Sequence, residues 1–188
     1  MKIITIMGSP RKKGNTAAVL ALFEKQVSAK HQVERINITD YKINGCLGCD
    51  GCQPSLDAPG CKQKDDAVAI LNRLIAADVV VYATPVYCWS FSAQMKALID
   101  RHYCLVKWCK GEVASMLFKD KPVALLATCG GSAEYNADLL QAMFDRNMDY
   151  LGSKVIGKYV VPDCTTPAEL GEKADKIASA MAKDIVGN

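Results

Sequence analysis

Five apolar runs alternate with helical patterns along the chain, and this alternation constrains the fold more than any other feature of the sequence. Most runs are rich in β-branched residues and nearly continuous in hydrophobicity, as expected for strands buried on both faces. The predicted strands are Lys2–Met7, Gln32–Ile38, Val79–Ala83, Val123–Thr128 and Lys154–Val161. The predicted helices are Asn15–Ala29, Asp65–Ala77, Ser92–Tyr103, Ala133–Tyr150 and Thr166–Val186, with Asp65 and Ser92 as N-caps. This order predicts an α/β fold, doubly wound, with a five-stranded parallel sheet between two helical layers.

Composition is consistent with a single domain over residues 1–188. Half of the 188 residues are hydrophobic, and the net charge is only +3. Such a balance points to neither nucleic acid nor a membrane as partner. Because no apolar stretch reaches transmembrane length and Met1 leads directly into a strand pattern, we expect a cytoplasmic protein.

Two connecting segments, Thr39–Lys64 and Cys104–Lys121, exceed ordinary connection lengths. Excess length in a compact domain usually serves function or contacts between subunits. The first segment forms a cysteine-rich insert at about residues 39–64.

The loop Gly8–Thr16 lies between the first predicted strand and the first predicted helix. Unpaired amides and the positive end of the helix dipole favour phosphate at such a position. The spacing differs from the G-x4-G-K-[ST] loop of nucleoside triphosphatases, and the dinucleotide pattern G-x-G-x-x-G is absent. We therefore expect a cradle for one terminal phosphate, as in flavin mononucleotide (FMN); the alternative is a basic surface turn.

Two further loops follow the third and fourth predicted strands and should reach the same sheet edge. The first contains Pro85 and the aromatic residues Tyr87, Trp89 and Phe91, which could form a wall for a flavin ring or belong to the core or a subunit interface. We favour the flavin for Tyr87, and the core or a subunit interface for Phe91. The second loop contains Gly130–Gly131, where backbone amides can approach a ring closely.

Nine cysteines are many for a chain of this length, and three of them stand in Gly-Cys steps at Cys46, Cys49 and Cys52, followed by Cys61. This clustered spacing favours a [4Fe-4S] centre. Zinc bound by four thiolates and a metal-free loop remain open alternatives. The eight-residue gap Gln53–Gly60 makes Cys61 the least certain ligand.

Three segments together resemble the flavodoxin-like NADPH-dependent FMN reductase superfamily: Gly8–Thr16, Thr84–Tyr87 with the following Gln94–Arg101, and Cys129–Gly131. Within it, the cysteine insert resembles the iron-sulfur flavoproteins. The resemblance implies strand order 2-1-3-4-5, bound FMN, and a homodimer or homotetramer. Its implied FMN-binding residues are Ser9, Arg11, Gly14, Asn15, Thr16, Pro85, Val86, Tyr87, Trp89, Cys129, Gly130 and Gly131. We interpret Lys96, Asp100 and Arg101 as structural or interfacial.

The expected function is an FMN-dependent oxidoreductase or electron carrier, with a [4Fe-4S] cluster near the flavin, NAD(P)H as a candidate electron donor, and a small-molecule or protein redox partner. We expect no general base, because the flavin supplies the chemistry; His31 and His102 are expected to be structural. A cluster-free NAD(P)H-dependent FMN or quinone reductase is the first alternative. A non-catalytic thiolate metal-binding or redox-sensing protein is the second.

Overall fold

The computed structural model describes residues 1–187 and is organised around one five-stranded parallel sheet of order β2-β1-β3-β6-β7. The strands are β1 Lys2–Met7, β2 Gln32–Asn37, β3 Val79–Pro85, β4 Val106–Cys109, β5 Glu112–Met116, β6 Pro122–Thr128 and β7 Lys154–Val161. The helices are α1 Asn15–Val27, α2 Ala67–Ile75, α3 Ala93–Asp100, α4 Ala133–Asn136, α5 Asp138–Tyr150 and α6 Gly171–Val186. Counting only the strands of this sheet, the order is 2-1-3-4-5, which confirms the predicted flavodoxin-like fold.

Both faces of the sheet carry a hydrophobic core because successive side chains of each strand point to opposite sides. In β1, Ile3 packs with α1 and α6, whereas Ile4 and Ile6 pack with α2, α3 and α5. The central strand β3 is buried along its whole length. The rigid sheet therefore fixes the positions of the loops that follow its carboxyl ends.

A hairpin of β4 and β5 occupies the second long segment, where no strand was predicted. Its turn residues Lys110 and Gly111 both have positive φ, 51° and 85°, as a two-residue type I′ turn requires. The sequence feature that could have predicted this hairpin is the Lys-Gly pair between two short apolar stretches.

Several predicted helix boundaries were wrong. The third helix ends at Asp100 and continues as a 3₁₀ segment, Arg101–Leu105, and the predicted helix over 133–150 is broken at Ala137. Ser92 caps α3 as predicted, accepting a hydrogen bond from the Met95 amide at 3.2 Å. Asp66 stands directly before α2 without a side-chain cap, whereas Asp65, the predicted cap, accepts from the Ala67 amide at 3.2 Å through Oδ1 and pairs with Arg101 through Oδ2.

Within residues 1–187, none of the helices combines the length and apolarity that crossing a membrane would need.

Candidate functional site

The loops after β1, β3, β6 and β7 line one pocket with a volume of about 180 Å³. The lining residues are Ser9, Arg11, Gly14, Asn15, Thr16, Pro85, Val86, Tyr87, Thr128, Cys129, Gly130, Cys164 and Thr165. The structure thus brings together all the predicted cofactor-binding residues except Trp89 and Gly131. Thr128, Cys164 and Thr165 were missed, although the last two follow a strand whose carboxyl end lies at the same edge.

The first turn of α1 leaves its amides free for an anion. Gly14 stands at the N-cap, where no side chain accepts from the helix amides, and the first turn contains no acidic residue. Ser9 Oγ accepts from the Arg11 amide at 3.1 Å, which tightens the loop ahead of the helix. This end of α1 therefore has the donors and the dipole that bind phosphate.

Gly8 holds the loop tightly against its neighbours. A Cβ atom there would lie 2.7 Å from Met95 Cε and 3.2 Å from the Ala83 carbonyl oxygen. The Gly8 amide donates to that carbonyl at 2.7 Å, and Ser92 Oγ donates to the Gly8 carbonyl at 2.6 Å. Ser92 thus fixes the Gly8–Thr16 loop as well as capping α3, and the sequence did not indicate its contact with the loop.

Two polar side chains behind this loop, those of Asn15 and Thr16, already form hydrogen bonds within the protein. Asn15 Nδ2 donates to the Cys164 carbonyl at 2.9 Å, while its Oδ1 is buried without a hydrogen-bond partner. Thr16 and Thr128 join their hydroxyls at 2.7 Å, and both residues are nearly inaccessible. The unpaired atom of Asn15 is an acceptor, so it suits a hydroxyl donor better than a phosphate oxygen.

A tight turn separates the two aromatic residues predicted for the ring. Tyr87 and Ser90 exchange backbone hydrogen bonds, both 3.0 Å long, and the central Cys88 and Trp89 have φ of 48° and 60°. Tyr87 therefore faces the pocket, whereas Trp89 is turned outside it and donates from Nε1 to the Tyr135 carbonyl at 3.0 Å. Phe91 is buried in the core, as expected.

A second, smaller cavity gathers the predicted metal ligands Cys46, Cys49, Cys52 and Cys61, together with Cys104. Cys52 is buried, Cys61 is half-buried, and Cys46 and Cys49 are exposed; all are free thiols. Among the described residues, 1–187, no set of three or more His, Cys, Asp or Glu side chains has a geometry that would hold a metal ion. Burial raises the pKa of the Cys104 thiol to about 12.

The cysteine segment is docked on the β4–β5 region, so the two long connections form one unit. Gln53 Nε2 donates to the Val106 carbonyl at 3.3 Å, and the Trp108 amide donates to Gln53 Oε1 at 2.8 Å. Tyr103 adds a hydrogen bond of 2.7 Å from its hydroxyl to Asp50 Oδ1. The hairpin therefore provides the platform on which the cysteines are held.

Arg101 is buried beside the cysteines rather than at an open surface. Its Nη1 lies 2.6 Å from Asp65 Oδ2 and donates to the Asn44 carbonyl at 3.0 Å, while Nη2 donates to Cys61 Sγ at 3.0 Å. Both partners of the ion pair are at most 1% exposed. The interpretation of Arg101 as structural or interfacial therefore missed its hydrogen bond to Cys61, one of the predicted metal ligands.

Asp65→Asn is expected to lower the free energy of unfolding by about 3–5 kcal/mol, because it leaves the Arg101 guanidinium buried without its counter-charge. Asp100→Asn removes the same charge from the exposed Lys96–Asp100 pair on α3 and should cost less than about 0.5 kcal/mol. Urea unfolding of both variants measures the difference. Equal costs for the two substitutions would contradict the importance of the buried pair.

The two cavities lie near opposite ends of α3. Ser92, at its N-cap, holds the Gly8–Thr16 loop, and Arg101, just after its last residue, lines the cysteine cavity. Eight helical residues with a rise of about 1.5 Å each separate the two ends by about 12 Å. One short, rigid element thus connects both sites.

The sheet is doubly wound, and the loop after β1, where the strand order reverses, has the features of a phosphate-binding loop. The edge of the first pocket is apolar and contains glycine. Together these features define a flavodoxin-like protein. The chain belongs to the NADPH-dependent FMN reductase family, whose model matches residues 1–177. The resemblance identified from the sequence motifs is therefore confirmed.

Its curated relatives include proteins called iron-sulfur flavoprotein. One from Archaeoglobus fulgidus is 32% identical over 140 residues, covering 73% of this chain and 65% of the relative. One from Methanosarcina thermophila is 30% identical over 146 residues, covering 77% of this chain and 72% of the relative. The matches span 45% to 65% of the length of the first four relatives.

Among solved structures, the NAD(P)H:quinone oxidoreductase from Methanothermobacter marburgensis has the same fold. The TM-score is 0.75 with 16% sequence identity, and the match covers 98% of this chain and 96% of the other. At that identity, the similarity concerns the fold alone.

Proposed function

We propose that this chain is an FMN-dependent oxidoreductase that carries a thiolate-ligated [4Fe-4S] cluster. The observation that supports it most is the pairing of two sites at opposite ends of α3: a pocket suited to FMN and a cavity lined by five cysteines. Relatives named iron-sulfur flavoprotein support the combination.

The residues of the first pocket fit FMN. The amides at the start of α1 and the Arg11 guanidinium would bind the phosphate, and Asn15 Oδ1 would accept from a hydroxyl of the ribityl chain. The enclosed volume of about 180 Å³ is below the roughly 300–1,000 Å³ of whole-ligand pockets. The ring would therefore extend to the open mouth, where Tyr87 is 42% exposed.

The second cavity fits a cluster by its donor set. Four of its five thiols come from the cysteine-rich insert, and Gly60, at φ 63°, lets the chain return so that Cys61 reaches the same cavity. A Cβ at Gly60 would lie 2.4 Å from Ser55 Cβ, so glycine is required for that return. The buried Arg101 supplies a hydrogen bond to Cys61 Sγ, an interaction that tunes metal–thiolate centres.

Bound FMN would accept hydride and pass electrons on singly, and a cluster would relay single electrons. The protein's own contribution is then binding and orientation. Among the described residues, the lining of the first pocket contains no carboxylate and no histidine. A Cβ atom added at Gly130 would have only Thr165 Cγ2 nearby, at 3.5 Å. The backbone at Gly130 is therefore open to the approach of a planar ring.

A cluster-free NAD(P)H-dependent FMN or quinone reductase is the second candidate. It is favoured by the exposure of Cys46 and Cys49 and by the absence of a ligating arrangement of side chains within residues 1–187. This candidate needs only the first pocket.

The proposal extends to partners and location. NAD(P)H or a reduced protein would donate electrons, and a small molecule or protein would accept them. Exposed apolar side chains at Trp89, Tyr135 and Leu139 support assembly into a homodimer or homotetramer. Nine free thiols favour a reducing, cytoplasmic compartment, with neither membrane nor nucleic acid as partner.

Anaerobic purification followed by absorption spectroscopy and by FMN, iron and sulfide analysis tests the proposal. We expect flavin bands together with broad iron–sulfur absorption, and iron and sulfide in equal amounts. Flavin without iron and sulfide would leave the reductase candidate. Zinc in place of iron would show that the thiolates hold a different metal, and the absence of flavin would refute both candidates.

A further inference from the structure

Lys107 is a fully buried lysine on β4, directly beneath the cysteine segment. Its exposure is 0%, and its Nζ donates to the carbonyls of Cys52 at 3.0 Å and Pro59 at 2.9 Å. An ammonium group without a counter-charge is costly to bury. The residue is therefore expected to have a function that offsets this cost.

In the part of the chain that the structure describes, no carboxylate forms an ion pair with this lysine. The ion pairs found within residues 1–187 do not include Lys107. Arg101, the buried cation that lines the cavity, is already paired with Asp65. The surroundings of the cysteines therefore contain one buried positive charge in excess.

The groups that can balance that charge are the thiols. Lys107 Nζ is bonded to the carbonyl of Cys52, and Cys52 lines the cysteine cavity together with Cys61 and Cys104. Thiols become anionic when they bind a metal, because coordination requires deprotonated sulfur. The thiolates of the metal-bound state would therefore neutralise Lys107, whereas the uncharged thiols of the metal-free state would not.

We propose that Lys107 is the counter-charge for a centre bound by Cys46, Cys49, Cys52 and Cys61. The inference rests on the proposed thiolate-ligated cluster. Each ligating thiolate brings a negative charge, and one-electron reduction of the cluster adds another. A fixed positive charge stabilises the reduced form more than the oxidised form, because net charge helps to set cluster potentials.

Charge and hydrogen bonding can be separated at this position. Lys107→Gln removes the charge but retains an amide donor, although its reach is one bond shorter. Lys107→Met keeps a side chain of similar length without donor or charge, and Lys107→Arg keeps the charge. Lys110→Gln makes the same change in net charge at an exposed turn of the hairpin and is the matched control.

The measurements are iron, sulfide and FMN content of anaerobically prepared protein, and the midpoint potential of the cluster by optical titration with dithionite as electron source. We expect Lys107→Gln and Lys107→Met to lower the cluster potential or lose iron and sulfide, with FMN content unchanged. Lys107→Arg should stay close to the parent in both measurements, and Lys110→Gln should be indistinguishable from it.

A parent protein without iron and sulfide would refute the proposed cluster itself. The parent could instead hold the cluster while both neutral variants match Lys110→Gln in cluster potential and metal content. That result would overturn the role of Lys107 and leave the proposed cluster standing. The metal-free neutral variants are expected to fold, since they lack the costly charge. Aggregation of both neutral variants in metal-free form, with Lys107→Arg folding normally, would also overturn the proposal.

Discussion

Cys49→Ala is expected to abolish iron and sulfide binding while leaving FMN content unchanged. Cys49 lines the cysteine cavity, whereas the pocket proposed for FMN is formed by other loops near the opposite end of α3. Removing one of four thiolates leaves an iron without its protein ligand. Iron, sulfide and flavin analysis of anaerobic protein measures the effect.

Cys109→Ala is the matched control, because Cys109 is an exposed thiol on the neighbouring hairpin outside the cavity. It should retain iron and sulfide at the parent level. Retention of a full cluster by Cys49→Ala would remove this residue from the ligand set. Loss of FMN together with iron would show that the two sites are not independent.

The fourth ligand can be tested separately, because the structure places a fifth thiol in the same cavity. Cys104 is buried there beside Cys61, so it could substitute after a small rearrangement. We expect Cys61→Ala to keep part of its iron and the double variant Cys61→Ala/Cys104→Ala to lose it. Complete loss in Cys61→Ala alone would exclude substitution by Cys104.

Arg11→Ala is expected to weaken FMN binding by about tenfold to a hundredfold, because hydrogen bonds to charged groups contribute roughly 1.5–3 kcal/mol. Lys13→Ala removes the same charge from the same loop, but Lys13 does not line the pocket, so its effect should be much smaller. Fluorescence titration of the apoprotein with FMN gives both affinities.

Riboflavin separates phosphate recognition from ring binding. It lacks the phosphate, so we expect it to bind the parent weakly and the Arg11→Ala variant equally weakly. Equal FMN affinities for Arg11→Ala, Lys13→Ala and the parent would disprove a phosphate contact by Arg11.

The sequence indicated well which loops line the first pocket, because these loops follow strands directly. In a parallel sheet, strand ends converge at one edge, so loops distant in sequence meet without further information. Ser9, Pro85 and Gly130 could thus be assigned to one site from the alternation of strands and helices alone. Trp89 departed from the prediction because two positive φ values turn it away from the pocket, and periodicity does not indicate such turns.

Local sequence therefore determined the five strands of the main sheet, the loop after the first of them and the cysteine spacing, since each depends on neighbouring residues or on regular periodicity. The order of the strands came from the resemblance. The tertiary structure alone decided what the two long segments do. It docked the cysteines on the β4–β5 hairpin and buried Arg101 and Lys107 against them. Contacts between residues about forty to fifty-five positions apart arise only when the chain is folded, and a buried charge has no signature in composition.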